Sequence, residues 1–280
     1  MKIFVTGATG FIGRNFVRHA LDLGHEVVAL GRTWPEEASF GKSREREQRI
    51  QGGLTSLKAH HFSGCSALVH LAAHGVNPQK SNWADCFRVN VLESLEAWTL
   101  AADEGVKRFV ICGSCFEYGA SGQKFDRIPT DAPLMPTGPY HSSKAAATMA
   151  AIGLAHHRKL ECIIARPFHV FGEGEADYRF WPSLRTAALS GQNFPMTAGE
   201  QIRDFVPVEL VAKKFLEACS LKKVKSGTAT VLNIGTGKAQ TLRQFAEYWW
   251  EQWNAKGRLH FGEIPYRENE VMRYVPKIDC

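Results

Sequence analysis

Residues 6–13 read TGATGFIG, a stretch with the glycine spacing G-x-x-G-x-x-G. The apolar residues 2–6 before it predict a strand, and the periodic apolar side chains from Phe11 to about Leu23 predict a helix. Glycines at such a turn let the backbone approach a pyrophosphate and aim the first helical amides at it. The stretch therefore predicts a dinucleotide site; an ordinary tight turn is the alternative.

The alternation of strand and helix continues along the chain. Further strands are predicted at 24–31, 67–73, 108–114, 161–167 and 228–235, and further helices at 91–104, 140–157, 209–220 and 241–253. Strands that are apolar on both faces are typical of parallel sheets covered by helices. We therefore expect an α/β fold, a Rossmann doubly wound parallel sheet with helices on both faces.

The composition changes after Pro167, where glycine, proline and aromatic residues become frequent. This change predicts a smaller C-terminal substrate-binding lobe. We expect residues 1–167 to form the dinucleotide-binding domain, rejoined by about 205–236. Residues 168–204 and 237–280 are then expected to form the substrate lobe.

Composition limits the kinds of partner that the protein could bind and indicates its cellular location. The 280 residues carry a net charge of +6, but basic and acidic residues interleave, as in GKSREREQRIQ (41–51), which favours small anionic ligands over nucleic acid. The longest apolar run, AAATMAAIGLA (145–155), is short of the roughly 20 residues of a membrane span. No secretory signal is visible, and the seven scattered cysteines do not form a secreted disulfide framework. We expect a cytoplasmic protein with no membrane partner.

The residue after the second strand bears on cofactor choice. NAD sites usually place a carboxylate there to accept hydrogen bonds from the ribose hydroxyls. This chain has Gly31 and then Arg32, and a guanidinium favours a 2′-phosphate. The sequence predicts NADP(H) over NAD(H), unless Arg32 is merely a solvated surface charge.

Three polar residues form a candidate catalytic set. Tyr140 and Lys144 are four residues apart at a predicted helix start, hence on one face, and Ser114 ends a predicted strand. At ~4 Å and an effective dielectric of ~20, an ammonium stabilises a phenolate by ~4 kcal/mol before desolvation is subtracted. We therefore expect Lys144 to lower the pKa of Tyr140 and make it a working acid or base.

These features together resemble the extended short-chain dehydrogenase/reductase family, in its branch of nucleotide-sugar epimerases, dehydratases and reductases. The resemblance covers nearly all of the chain. The matching stretches are TGATGFIG (6–13), LVHLAA (68–73), VNV (89–91), GSCFEYG (113–119), YHSSK (140–144), RPFHVFGEGE (166–175), RDFVPVELVA (203–212) and LNIGTG (232–237).

The resemblance implies roles for particular residues and no metal ligands. The catalytic set it implies is Ser114, Tyr140 and Lys144. The cofactor contacts it implies, with Arg32 added from the sequence, are Gly7, Thr9, Gly10, Phe11, Ile12, Gly13, Leu71, Ala72, Ala73, Asn90, Tyr140, Lys144 and Pro167. The implied contacts to a nucleoside-diphosphate sugar are Ser114, Cys115, Phe116, His169, Arg179, Arg203 and Arg267.

The spacing C-x-x-C in CGSC (112–115) is compatible with a redox pair or half of a metal site. In the family interpretation, Cys112 ends a buried strand and Cys115 merely follows the catalytic Ser114. Both cysteines are then bystanders.

Positions at which this chain departs from the family pattern indicate which of the family's activities it has. The 4,6-dehydratases resemble one another in an acidic pair after the catalytic hydroxyl, where this chain has Cys115 and Phe116, which argues against dehydration. Enzymes of the GDP-fucose-synthase type use a cysteine and a histidine for epimerisation, and those positions hold Phe116 and Arg179. Simple 4-ketoreduction or 4-epimerisation remains.

Arg32 favours the reductase, because an epimerase retains NAD whereas a reductase draws on NADPH. The expected function is NADPH-dependent reduction of the C4 keto group of a nucleoside-diphosphate (6-deoxy)-4-keto sugar, in deoxysugar or surface polysaccharide biosynthesis. The alternatives are a 4-epimerase with tightly bound NAD and a non-catalytic NADP-binding regulator. Relatives pair through a four-helix bundle, so a homodimer is expected by analogy.

Overall fold

Seven parallel strands form the central sheet of the computed structural model, which describes residues 1–34, 44–268 and 270–278. The strands are β1 (Lys2–Thr6), β2 (Glu26–Gly31), β3 (Glu47–Gln51), β4 (Ala67–His70), β5 (Arg108–Cys112), β6 (Glu161–Pro167) and, after four short strands elsewhere, β11 (Thr228–Ile234). Their order across the sheet is β11-β6-β5-β4-β1-β2-β3, and all neighbours are parallel. The predicted fold class is therefore confirmed.

Helices cover both faces of this sheet. Those that pack on it are α1 (Phe11–Asp22) and α6 (Val208–Cys219) on one face and α3 (Ser94–Asp103) and α4 (Pro139–Arg158) on the other. The remaining helices are α2 (Trp83–Phe87), α5 (Phe180–Ser190) and α7 (Leu242–Gln252). Alternation along β1 shows the two layers: Ile3 and Val5 pack in one core with α1 and α6, whereas Phe4 packs in the other with α3 and α4. Burial on both faces explains why these strands are apolar throughout.

The remaining strands form three small sheets after β6. They are β7 (His169–Phe171), β8 (Phe194–Met196), β9 (Ile202–Arg203), β10 (Phe205–Pro207), β12 (Gln240–Thr241), β13 (Leu259–Phe261) and β14 (Arg273–Tyr274). Strand β7 pairs with β10, β8 with β13, and β9 with both β12 and β14. The division into two lobes stays a prediction, and residues 269, 279 and 280 of the predicted substrate lobe lie outside the described residues.

Strand β3 and helix α5 are among the elements that the sequence patterns missed. Strand β3 reads EQRIQ, and its polar residues suit an edge strand that pairs only with β2. Helix α5 includes Pro182, which lies in the first turn, where its missing N–H breaks no helical hydrogen bond. In the described parts of the chain, no helix combines the length and apolar character that crossing a bilayer requires.

Candidate active site

The candidate site lies at the carboxyl ends of the central strands. The chain runs outward from β1 to β2 and β3, then returns to place β4 on the other side of β1. Crevices at such a reversal of strand order are where open α/β sheets bind ligands. The loops after β1, β2, β4, β5 and β6 carry the predicted cofactor and catalytic residues at this edge.

The glycine loop between β1 and α1 is too tight for side chains. Gly7 has a φ of +66°, and a Cβ there would lie 2.6 Å from the Ala72 nitrogen. A Cβ on Gly13 would lie 2.1 Å from the Gly7 oxygen. Helix α1 begins after Gly10 with no side-chain cap and no acidic residue in its first turn. Its first amides therefore suit an anion, and the loop fits a dinucleotide pyrophosphate.

The other predicted cofactor residues lie around this loop. Thr9, Phe11 and Ile12 belong to it; Leu71, Ala72 and Ala73 follow β4; and Pro167 ends β6. The Thr6 hydroxyl accepts hydrogen bonds from the Leu71 and Ala72 amides, each at 3.2 Å, and so holds the two loops together. Arg32 follows β2 and is exposed.

Asn90 links a loop of the site to helix α4. It is buried in a π-helical segment, Arg88–Glu93, between α2 and α3. Its side-chain amide donates to the Ser143 hydroxyl at 2.9 Å and to the His74 carbonyl at 3.0 Å, and its oxygen accepts from the His74 amide. Ser143 in turn donates to the Tyr140 carbonyl at 2.8 Å. Asn90 is thus placed to hold the start of α4 in position.

Ser114, Tyr140 and Lys144 meet at the end of β5. Ser114 starts the turn after this strand, and its side chain lies close enough to Tyr140 to influence the pKa of the phenol. Lys144 is buried and donates from Nζ to the Cys112 carbonyl oxygen at 2.6 Å. The structure therefore brings the three predicted catalytic residues together.

The pKa of Tyr140 does not shift in the expected direction. Burial raises it above its ordinary value of 10, the nearby Cys112 adds to the rise, and the Ser114 side chain opposes it. The expected lowering by Lys144 is wrong for this structure, because burial penalises the phenolate more than its neighbours stabilise it. Tyr140 therefore keeps its proton at neutral pH, which suits a proton donor.

The two cysteines of CGSC are neither paired nor ionised. Cys112 ends β5, Cys115 starts the turn after Ser114, and both thiols are free. Burial raises the pKa of Cys112 to about 11 and that of Cys115 to about 12. Among the described residues, no three His, Cys, Asp or Glu side chains are grouped to hold a metal ion. The bystander interpretation fits this environment.

The predicted substrate residues are only partly brought together. The Phe116 ring stacks on His141 with centroids 4.9 Å apart and meets His169 edge-on at 6.0 Å. Burial lowers the pKa of His169 to about 3, and the positive charges of Arg203 and Arg179 add to this effect. Both arginines therefore lie near His169, where an anionic ligand would be stabilised.

The structure does not leave Arg203 and Arg267 as free substrate contacts in the way the resemblance implied. Arg203 is already engaged, because it pairs with Glu270 at 3.0 Å and also donates to the Val271 carbonyl. Arg267 is exposed, and its carbonyl accepts from the Glu270 amide. No described side-chain contact joins Arg267 to the other predicted substrate residues.

Two buried carboxylates escaped the sequence patterns. Glu117 is fully buried and pairs with Arg166 at 2.9 Å beneath Ser114. Burial raises the pKa of Glu175 to about 7, although an ion pair with Arg179 at 3.3 Å opposes the rise. An acidic residue between the aromatic residues of FEYG was the only available signal for Glu117, and nothing local marked Glu175.

Comparisons with known proteins match this architecture. The model of the NAD dependent epimerase/dehydratase family matches residues 3–235. A dTDP-6-deoxy-L-talose 4-dehydrogenase (NAD(+)) from Aggregatibacter actinomycetemcomitans is 26% identical over 97% of this chain and 98% of its own. A UDP-glucose 4-epimerase from Corynebacterium glutamicum is 25% identical over 88% and 79%. The structure of MoeE5 in complex with UDP-glucuronic acid and NAD superposes with a TM-score of 0.85 at 28% identity, covering 99% of this chain and 90% of that one.

Proposed function

The chain belongs to the NAD dependent epimerase/dehydratase family, and we propose that it reduces the C4 keto group of a nucleoside-diphosphate (6-deoxy)-4-keto sugar with NADPH. The observation that carries this proposal is the meeting of Ser114, Tyr140 and Lys144 at the end of β5. They lie at the same edge of the sheet as the glycine loop, so a carbonyl and a nicotinamide ring would share one crevice.

Three residues of the chain would donate the proton to the C4 oxygen of the sugar and stabilise the negative charge that develops on it. Bound NADPH would supply a hydride to the C4 carbon. Tyr140 then donates its proton to the C4 oxygen, and Ser114 donates a hydrogen bond to that oxygen as negative charge develops. Lys144, anchored on the Cys112 carbonyl, would hold the nicotinamide ribose of a bound cofactor and place a positive charge near Tyr140. The raised pKa of Tyr140 keeps this donor protonated between turnovers.

The preference for NADPH depends on Arg32. This exposed arginine follows β2, and the described residues 31–34 at that strand end contain no carboxylate to accept from ribose hydroxyls. A guanidinium there would pair with a 2′-phosphate. The relative from A. actinomycetemcomitans is named for NAD(+), so the cofactor choice of this chain rests on its own residue.

The substrate class is supported by charge and by similarity. Arg179 and Arg203 provide positive charge near His169, which suits a diphosphate. The relative named dTDP-6-deoxy-L-talose 4-dehydrogenase oxidises position 4 of a 6-deoxy sugar nucleotide by its name, and ketoreduction is the reverse of that step. The MoeE5 structure contains a UDP sugar acid and NAD. A role in deoxysugar or surface polysaccharide synthesis follows from this substrate class.

We also propose a cytoplasmic homodimer. The exposed apolar side chains of Leu92 and Met149 lie on the π-helical segment and on α4, where they suit a second copy of the chain.

One incubation separates the candidate functions. The protein is mixed with NADPH and a panel of dTDP-, UDP-, GDP- and CDP-linked 4-keto-6-deoxy sugars and with UDP-glucose, while absorbance at the NADPH band and the sugar products are followed. A reductase consumes NADPH and forms the 4-hydroxy sugar. Conversion of UDP-glucose without cofactor consumption would establish instead the 4-epimerase, which the C. glutamicum relative favours. Cofactor binding without any turnover would leave the regulator.

A further inference from the structure

A single buried carboxylate connects three elements around the catalytic residues. The Glu117 side chain is fully buried, and its Oε1 accepts a hydrogen bond from the Ser114 amide at 2.7 Å. Its Oε2 accepts from the Thr148 hydroxyl at 2.8 Å and from Arg166 Nε at 2.9 Å. These donors belong to the turn after β5, to helix α4 and to strand β6.

The bond from Thr148 joins the carboxylate to the catalytic face of α4. Tyr140, Lys144 and Thr148 are spaced by four residues, so they share one face of that helix. The space around the carboxylate is filled, because a Cβ on Gly113 would lie 2.6 Å from its Oε1. Any shift of Glu117 would therefore move Ser114 relative to Tyr140.

Arg166 pairs with the carboxylate inside the protein, where both side chains are buried. Its guanidinium also donates to the Thr130 carbonyl at 3.2 Å and lies 4.6 Å from the centroid of the Tyr118 ring. A buried ion pair is weak evidence for stability, because well-packed apolar residues of similar volume often stabilise a fold equally well. The specific bonds to Ser114 and Thr148 indicate another role.

We propose that Glu117 is a positioning residue, which sets the separation between Ser114 and the face of α4 that carries Tyr140 and Lys144. This inference rests on the proposed function for its kinetic consequences. It assigns to Glu117 no contact with substrate or cofactor.

The test removes the ion pair as a whole. Glu117→Leu combined with Arg166→Met eliminates both buried charges and preserves the apolar packing. The matched control is Arg108→Met combined with Glu161→Leu, which removes an ion pair between β5 and β6 with 2.7 Å between its atoms. That pair lies at the amino ends of β5 and β6, at the opposite edge from the site.

We expect kcat of the Glu117/Arg166 variant to fall by about 10- to 100-fold with KM for the sugar within about threefold, as for a displaced catalytic group. The control variant should keep the wild-type kcat. A wild-type kcat in the Glu117/Arg166 variant, or a loss confined to KM, would overturn the proposal.

Thr148→Val is the second variant, should the double substitution prevent folding. This substitution removes only the bond from α4, so kcat should fall by less than in the Glu117/Arg166 variant. An unchanged kcat in a folded Thr148→Val protein would argue against positioning through α4. If the wild type turns over no sugar nucleotide, the proposed function fails by itself. A crystal structure of the Glu117/Arg166 variant then tests the positioning role directly. If Glu117 sets the separation, the Ser114 and Tyr140 side chains lie farther apart than in the wild type. An unchanged distance between them would contradict the inference.

Discussion

The Lys144 ammonium donates a hydrogen bond to the Cys112 carbonyl oxygen at 2.6 Å. This bond joins helix α4 to the last residue of β5, two residues before Ser114. Lys144 is only 3% exposed, and Cys112 is partly buried at the end of the strand. The bond holds the charge of Lys144 beside the catalytic residues and ties the helix to the strand that carries them.

Lys144→Met should therefore affect stability as well as turnover. Loss of the donor removes a hydrogen bond from a charged group, which should cost ~1.5–3 kcal/mol in the free energy of unfolding. NADPH-dependent turnover should fall by about 100-fold through lost charge and positioning. Denaturant unfolding and steady-state kinetics measure both effects. Lys213→Met, at a well-exposed lysine of α6, is the control and should change stability by less than ~0.5 kcal/mol.

Tyr140→Phe should abolish most of the reduction while leaving NADPH binding intact. Removing a general acid costs about 10²–10⁴-fold in rate. In the wild type, reduction needs the protonated phenol, and burial raises the pKa of Tyr140 above its ordinary value of 10. The kcat for reduction should thus stay level as pH rises from 8 to about 10, the ordinary tyrosine pKa. A decline with a midpoint below that value would contradict the assignment.

Arg32→Ala should reverse the preference between the two nicotinamide cofactors. A charge-assisted bond to a 2′-phosphate contributes ~1.5–3 kcal/mol, so the Kd for NADPH should rise by about 10- to 100-fold. The Kd for NADH should not rise. Arg18→Ala, at an exposed position of α1, is the control. Fluorescence titration measures both constants, and an unchanged NADPH preference would remove Arg32 from the site.

Gly13→Ala should damage the cofactor loop, because its Cβ would lie 2.1 Å from the Gly7 oxygen. The loop must move to relieve this contact, so NADPH affinity should be lost by an order of magnitude or more. Gly153→Ala is the matched control in α4, where nothing lies within 4 Å of the new Cβ. Alanine there should stabilise the exposed helix by ~0.5–1 kcal/mol. Equal effects of the two substitutions would argue against a tight loop.

Glu175 should make the stability of the protein depend on pH. Burial raises its pKa to about 7 in the folded state, above its ordinary value of 4.5. The folded state therefore holds this proton more tightly, and stability is lost as pH rises from about 4.5 to about 7, by up to ~3 kcal/mol. Glu175→Gln should remove this loss, whereas Glu173→Gln at an exposed position should not. Parallel stability profiles for wild type and Glu175→Gln, from unfolding at several pH values, would contradict the burial argument.

The short-range patterns of the sequence predicted the main architecture. Apolar strands, glycine spacing and helical periodicity are local properties, so they located β1, the glycine loop and α1 and the helix that carries Tyr140 and Lys144. Strand β3 was missed because its residues are mostly polar. Helix α5 was missed because a proline lies in its first turn, although its buried residues follow a helical period.

Contacts between residues far apart in the chain determine the hydrogen bonds and pKa values of the site, and local sequence patterns do not contain them. The sequence alone predicted the dinucleotide loop and named Ser114, Tyr140 and Lys144 as the catalytic set. Only the tertiary structure decided that Glu117 bonds Thr148 and Arg166 across 31 and 49 residues. It also decided that burial raises the pKa of Tyr140, whereas the spacing to Lys144 suggested the opposite. The reason is that desolvation depends on every group packed around a side chain, and that packing exists only after the strands and helices have assembled.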